Sequence, residues 1–267
     1  RAALQAAGAA GGGVVLLPRG TYKLTGELKV PPRTTVRGEG PDRTFLYVPW
    51  KTPEFNAVFA GAGDFTIENL WLTAQTTRRL IVCPDHPDAY DGTRGNGHLI
   101  PREAWGRNVH LRNLRLHHLR YAHWVRGRDA NLRQELEGPA TIWLCGPYME
   151  LTDCHIVSSG NPIVLLNSSR SCLARNVIRG ANFISIQHSR ELCFEGNEHE
   201  GVAIGIGGEF ARVYIADNYL HDNYKGDRES ITLDTMSAGR WWVGLVTSAD
   251  GLTVTAAGIE SWKHAKD

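Results

Sequence analysis

The sequence predicts an all-β fold, a parallel β-helix (solenoid) with a short N-terminal helix. Three observations predict it. A strand frame recurs about every twenty-one residues, the links between strands have no room for crossover helices, and asparagines fall in one column of the repeat.

The frame, apolar-x-(small or polar)-x-x-apolar, reads IENLWL (67–72), LRNLRL (111–116), LTDCHI (151–156), LARNVI (173–178), FEGNEH (194–199) and IADNYL (215–220). First positions are 44, 40, 22, 21 and 21 residues apart, so each of the first two intervals holds an extra turn of the repeat or a long loop. A second strand follows each later frame: PIVLLN (162–167), FISIQH (183–188), VAIGIG (202–207) and SITLDT (230–235), with HWV (123–125) as an earlier copy. Alternation turns one apolar face of each strand inward. Strands this close cannot form βαβ units. They can stack as successive coils of a solenoid, each burying its apolar edge on its neighbours. A sandwich would want antiparallel hairpin turns at the junctions. Asn176, Asn197 and Asn218 share one column, where a buried Asn hydrogen-bonds backbone groups and its own copies. That column is read as structural.

The opening RAALQAAGAAGGGVVLLP looks superficially like a signal peptide. An Ala-rich helix ended by Gly11–Gly13 and leading into a strand over Val14–Leu17 is preferred, and the chain is read as a fragment or a trimmed mature protein. Residues 236–267 read as a hairpin around Ala249-Asp250-Gly251, the start of an appended β domain, leaving 1–235 as the helical domain.

Composition narrows the function classes. A net charge of +1 makes no electrostatic case for nucleic acid or an anionic membrane, and no apolar run is long enough to span a bilayer. The five cysteines are odd in number and contain no C-x-x-C pair. That argues against a structural zinc site or a dense disulfide framework and for buried thiols. His117 and His118 are adjacent, point to opposite faces of a strand, and cannot share a metal.

Long polar excursions span 76–107, 126–139 and 221–229, and such segments in a compact domain are more often functional than idle. Just before the second strand of successive repeats stand Gly160-Asn161, Ala181-Asn182, His199-Glu200 and Asp227-Arg228-Glu229. With coils about 4.8 Å apart, these are expected to form one ladder, making Glu200 and Glu229 neighbours, with Asp227 an equal partner. Two carboxylates about 5–5.5 Å apart suit retaining glycoside hydrolysis, and about 6.5–9.5 Å suits inversion. The bland reading of Lys225, Asp227, Arg228 and Glu229 is a solvated ion-pair loop. His199 is either a ligand contact or a core histidine, and Asp234 either lines the groove or caps a turn. Tyr121 and Trp124 are either sugar platforms or core.

The stretch GGGVVLLPRGTYKLTGELKVPPRTTVRGEG resembles the opening of pectin-lyase-like right-handed β-helix proteins, through Gly11–Gly13, Val15, Pro18, Gly20, Tyr22, Leu28, Val30, Pro31, Gly38 and Gly40. The resemblance implies the fold. It is less specific for activity, since that fold hosts hydrolases, lyases, epimerases and inert adhesins. Polygalacturonase-type hydrolases carry Asn-x-Asp, Asp-Asp and Gly-His-Gly on successive coils. EHEGVAIG resembles the third, which places His199 near a catalytic histidine position, whereas Ala181 and Asn182 stand where the Asp-Asp pair would be.

The leading expectation is a glycoside hydrolase acting on a polysaccharide or oligosaccharide, secreted, periplasmic or at a cell surface. Its catalytic carboxylates are drawn from Glu229, Asp227 and Glu200. His199, Arg228, Asn182, Asn161, Gln187, Asp234, Trp124 and Tyr121 are the substrate-binding candidates, with no cofactor and no metal. The rival enzyme is a polysaccharide lyase on a uronate-containing glycan, using Lys225 or Arg228 as base and Ca2+ held by Asp222, Asp227 and Asp234. The rival from another class is a non-catalytic glycan-binding or structural β-helix of adhesin or tail-fibre type.

Overall fold

The computed structural model describes residues 1–86, 100–119, 140–180, 183–200, 202–207, 211–221, 231–233, 241–248 and 251–259. Helix α1 (Ala2–Ala9) lies over the first coil with Leu4 buried, and Gly11, Gly12 and Gly13, all at positive φ, turn the chain into the first strand. Coil one is β1 (Gly13–Leu17), β2 (Gly20–Lys23) and β3 (Leu28–Val30); coil two is β4 (Thr34–Gly38), β5 (Thr44–Tyr47) and β6 (Phe55–Gly61). Coils three and four are each a long bent strand and a shorter one: β7 (Phe65–Ala74) with β8 (Thr77–Cys83), and β9 (Val109–His118) with β10 (Ala140–Cys145). Coil five is β11 (Met149–Thr152), β12 (His155–Ser158) and β13 (Asn161–Leu166); coil six is β14 (Ser171–Ala174), β15 (Val177–Gly180) and β16 (Phe183–Gln187). Coil seven is β17 (Arg190–Glu195), β18 (Glu198–Glu200) and β19 (Ala203–Gly207); coil eight is β20 (Ala211–Ala216), β21 (Asn218–His221) and β22 (Ile231–Leu233).

Each strand pairs in parallel with its counterpart one coil away, which builds three stacks. The first runs from β1 to β20 and the second from β2 to β21; β7 and β9 serve both. The third runs β3-β6-β8-β10-β13-β16-β19-β22. The chain is a parallel β-helix. The spacings of 44 and 40 residues each hold one coil and one long excursion, since Ile67 pairs with Leu111 and Leu111 with Leu151. Two expected features are corrected. Residues 77–83, assigned to an excursion, are strand β8, and the third-stack strand of coil four is β10 rather than HWV, which lies outside the described residues. At the far end β23 (Trp241–Ser248) and β24 (Gly251–Ile259) pair antiparallel, and β24 also pairs antiparallel with β20 and β21.

The bend between the first and second stacks is tight. Asn69, Asn113, Asp153, Arg175, Gly196 and Asp217 occupy it at φ between 48° and 61°. The next residue points inward: Leu70, Leu114 and Cys154, then Asn176, Asn197 and Asn218, all buried. Asn197 shows why asparagine suits this column. Its Oδ1 accepts from the N–H (3.0 Å) and Nδ2 (2.9 Å) of Asn176, while its Nδ2 donates to Leu173 O and to Asn218 Oδ1, each at 2.8 Å. The Asn176 amide and the Leu173 carbonyl thereby find partners in a place water does not reach. Gly38 serves close approach: a Cβ there would stand 2.1 Å from the carbonyl oxygen of Asn69.

The tube is filled by columns such as Leu46, Leu72, Leu116, Ile156 and Ile178, one per coil. Burying a side chain of this kind contributes roughly 1.5–3 kcal/mol. A smaller apolar cluster, including Val82, Trp143 and Val164, covers the outside of the third stack and is roofed by Ile100 and Trp105.

Candidate functional site

The excursions are not spread around the tube. The segment 84–108 leaves β8 of the third stack, while 119–139 leads into β10 and 222–230 into β22, both of that stack. Two of the three therefore meet the corner between the second and third stacks, and the third meets the opposite edge of the same sheet. The described part of 84–108 is ordered by side chains: Trp105 Nε1 donates to Ile100 O at 2.9 Å, and the short 3₁₀ turn Arg102–Ala104 precedes it. With Asp64, Arg107 and Pro147 it walls a cavity of about 500 Å³. Near the start of β8, Arg79 is 1% exposed, donates to Asn56 Oδ1 at 2.7 Å and holds its guanidinium 5.7 Å from the Trp143 ring.

The expected site residues part company here. Asn161 is the first residue of β13, level with Ala140, and is buried. Gln187 ends β16, level with Leu166 and Gly207, and is half-buried. Glu200 is corrected in register. Phe183 pairs with Ala203, so the described residue before the third-stack strand of coil seven is Val202. Glu200 instead ends β18 in the second stack, with Arg179 and His221 as its partners. Its position is still at the corner, one coil from where 222–230 departs. Its Oε2 lies 2.6 Å from Arg179 Nε. His199 is corrected too. It sits in the inward column with Ile178 and Leu220 as strand partners, has no exposed surface, and offers no ring to a ligand outside the tube. Tyr121, Trp124, Asn182, Asp222, Asp227, Arg228, Glu229 and Asp234 lie outside the described residues. Among the described residues no group of three or more His, Cys, Asp or Glu side chains is placed to hold a metal.

The outward face of the second stack holds a constellation that sequence reasoning missed. Outward residues alternate with the buried core column, and along the axis they read Phe45, Trp71, Arg115, His155, Val177 and Glu198. The parallel row is Tyr47, Thr73, His117, Val157, Arg179 and Glu200. Burial, followed by His155 and Arg115, holds the His117 imidazole below its usual range. For His155 burial acts first, then Arg179 and Arg115, with Glu198 and Glu200 pulling weakly the other way. Both rings are therefore biased toward the neutral form, the form that accepts a proton. The available signal was the outward column of the frame: positions 71, 115, 155, 177 and 198 form one such row.

All five cysteines are thiols; Cys83, Cys145 and Cys154 are buried, and Cys172 and Cys193 are half-buried.

The fold is that of a parallel β-helix protein. No protein-family model matches the chain, and no curated protein matches it in sequence. Among solved structures it resembles the A-module of the Azotobacter vinelandii mannuronan C-5 epimerase AlgE6, with a TM-score of 0.50 and 16% identity, over 77% of this chain. It spans about half of that module, 52% of its length, and the likeness is one of fold. No helix among the described residues is long and apolar enough to cross a membrane.

Proposed function

We propose that this chain is a carbohydrate-active enzyme that cleaves glycosidic bonds of a polysaccharide or oligosaccharide, as a glycoside hydrolase with paired carboxylates. The observation that carries the reading is the place of Glu200: it ends β18 level with His221, after which the sequence runs through Asp227 and Glu229 to β22. A polymer laid along that corner meets Glu200 from one coil and the segment bearing Asp227 and Glu229 from the next. One carboxylic acid protonates the leaving oxygen and its ionised partner attacks the anomeric carbon or activates water. Arg228 and Asn182 are then the wall nearest the reacting sugar. A polymeric substrate of this kind puts the protein outside the cell or at its surface.

A second reading has its own observation. His117 and His155, biased toward neutrality beside Arg115 and Arg179, are suited to removing a proton next to a carboxylate, the step that opens both lyase and epimerase chemistry. AlgE6, whose name states C-5 epimerisation of mannuronan, has the same fold.

The test is product analysis on a panel of plant, algal and bacterial glycans with Glu229→Gln, Asp227→Asn, Glu200→Gln and His155→Gln. Hydrolysis yields new reducing ends without unsaturated sugars and is lost in the carboxylate variants. Unsaturated ends, or inverted uronates without cleavage, lost only in His155→Gln, would replace it with the second reading.

A further inference from the structure

We propose that the outward face of the second stack, from Trp50 and Tyr47 to His155, is a second saccharide-binding surface, distinct from the cleavage corner, that takes uncharged hexose rings. The class of ligand rests on the carbohydrate reading above; the surface itself is argued from its own geometry.

The face carries an unbroken run of rings. Tyr47 and Phe45 stack with centroids 5.9 Å apart and planes within 10°. Phe45 meets Trp71 at 4.9 Å, Trp71 meets His117 at 5.1 Å, and His117 meets His155 at 5.9 Å, each edge to face. Coils two to five are thereby joined over about 14 Å along the axis, at about 4.8 Å per coil. At one end the run opens into a cavity of about 480 Å³, lined by Thr21, Phe45, Tyr47, Trp50, Thr73 and Gln75 among others. Trp50, at 58% exposure, is the most open aromatic there. Ring faces bordered by hydroxyls and an amide are what a sugar needs, with C–H faces to stack and hydroxyls to pair.

Two further observations choose the occupant. Arg115, which stands between Trp71 and His155 in the run, is charge-matched: its Nη1 lies 2.5 Å from Asp42 Oδ1. The imidazoles are biased toward neutrality, so no net cationic field invites a polyanion. Hydrogen-bonding groups stand at the open end of the run, where Thr21, Thr73 and Gln75 line the cavity. A protein partner would instead favour contiguous apolar area, whereas here Thr73, Arg115, His117 and His155 stand among the rings.

Affinity electrophoresis of the full chain tests this, with soluble β-1,4-mannan, a cellulose ether and polymannuronate as probes. The expected result is retardation by at least one neutral polymer, little affected by salt, weakened at least tenfold in Trp50→Ala and in Trp50→Ala/Tyr47→Ala. Melting curves of these variants report whether they remain folded, and Trp50→Phe, which keeps a ring, restores binding. Glu229→Gln retains the retardation, which separates this surface from the cleavage corner. Failure of both neutral polymers to retard the intact chain would overturn the proposal. So would retardation unchanged in the double variant, retardation confined to polymannuronate, or its loss in Glu229→Gln. Turnover of a soluble oligosaccharide by a chain that fails these tests would leave the cleavage reading standing alone.

Discussion

Arg179 Nε lies 2.6 Å from Oε2 of Glu200, and Glu200 is the last residue of β18, where the chain turns from the second stack toward the third. The pair is half in water, with side-chain exposures of 49% and 38%. An ion pair of this kind holds a carboxylate in place without contributing much to folding.

Glu200→Gln and Arg179→Ala are therefore expected to shift unfolding free energy by no more than about 1 kcal/mol. Glu200→Gln should lower glycan cleavage by about 10²–10⁴-fold, the usual contribution of a positioned acid or base. Urea unfolding and initial rates on one substrate check both halves. A large stability loss with unchanged turnover would assign Glu200 to scaffolding.

Asn197→Ala removes the partner of the Asn176 N–H, of one Nδ2 hydrogen of Asn176 (the other stays on Leu151 O) and of the Leu173 carbonyl inside the tube. Each stranded group costs about 1–3 kcal/mol, partly relieved by local adjustment, so the variant is expected to lose about 3 kcal/mol. Equilibrium urea denaturation measures it. A loss below 1 kcal/mol would mean that the asparagine column is not what holds the bends.

Gly38→Ala places a methyl 2.1 Å from the Asn69 oxygen and 2.9 Å from Thr44 Cβ. Neither neighbour can yield without moving the backbone of the coil. A cost of about 3 kcal/mol is expected, at the upper end of ordinary overpacking, and read as a lowered melting temperature.

The buried thiols set a limit at high pH. Burial lifts the thiol of Cys145 from 9.0 to about 11 and that of Cys154 to about 12. The native state keeps these protons while the unfolded chain releases them. Their contribution is thus fully present below pH 9 and falls as pH rises toward 11–12, by up to about 1.4 kcal/mol per pH unit per thiol. Cys154→Ala should flatten this slope, whatever its effect at pH 7. A stability profile that stays level between pH 9 and 11 would contradict the burial described.

The parallel coil was legible because its links are short and its inward columns repeat, from Ile156 through Ile178 to His199. Strands β8 and β10 were missed for a physical reason. Both are covered on two sides, by the core and by the outer cluster around Trp143, so LIVC and TIWLC are continuous apolar runs without the alternation that marks a half-exposed strand. The Glu200 register slipped because alignment by sequence made the end of β18 the residue before a strand, whereas hydrogen bonding begins the next strand at Ala203. The outward ring run escaped because its members come from different coils, and only stacking brings Phe45, Trp71 and His117 together.

The most direct measurement is the fate of a polysaccharide panel incubated with the intact chain, followed by reducing-end assay and mass spectrometry of products. The account predicts new reducing ends on at least one glycan, abolished in Glu229→Gln while the variant still binds that glycan. Binding by the intact chain with no product from any glycan would contradict it, and would make the protein a glycan-binding β-helix.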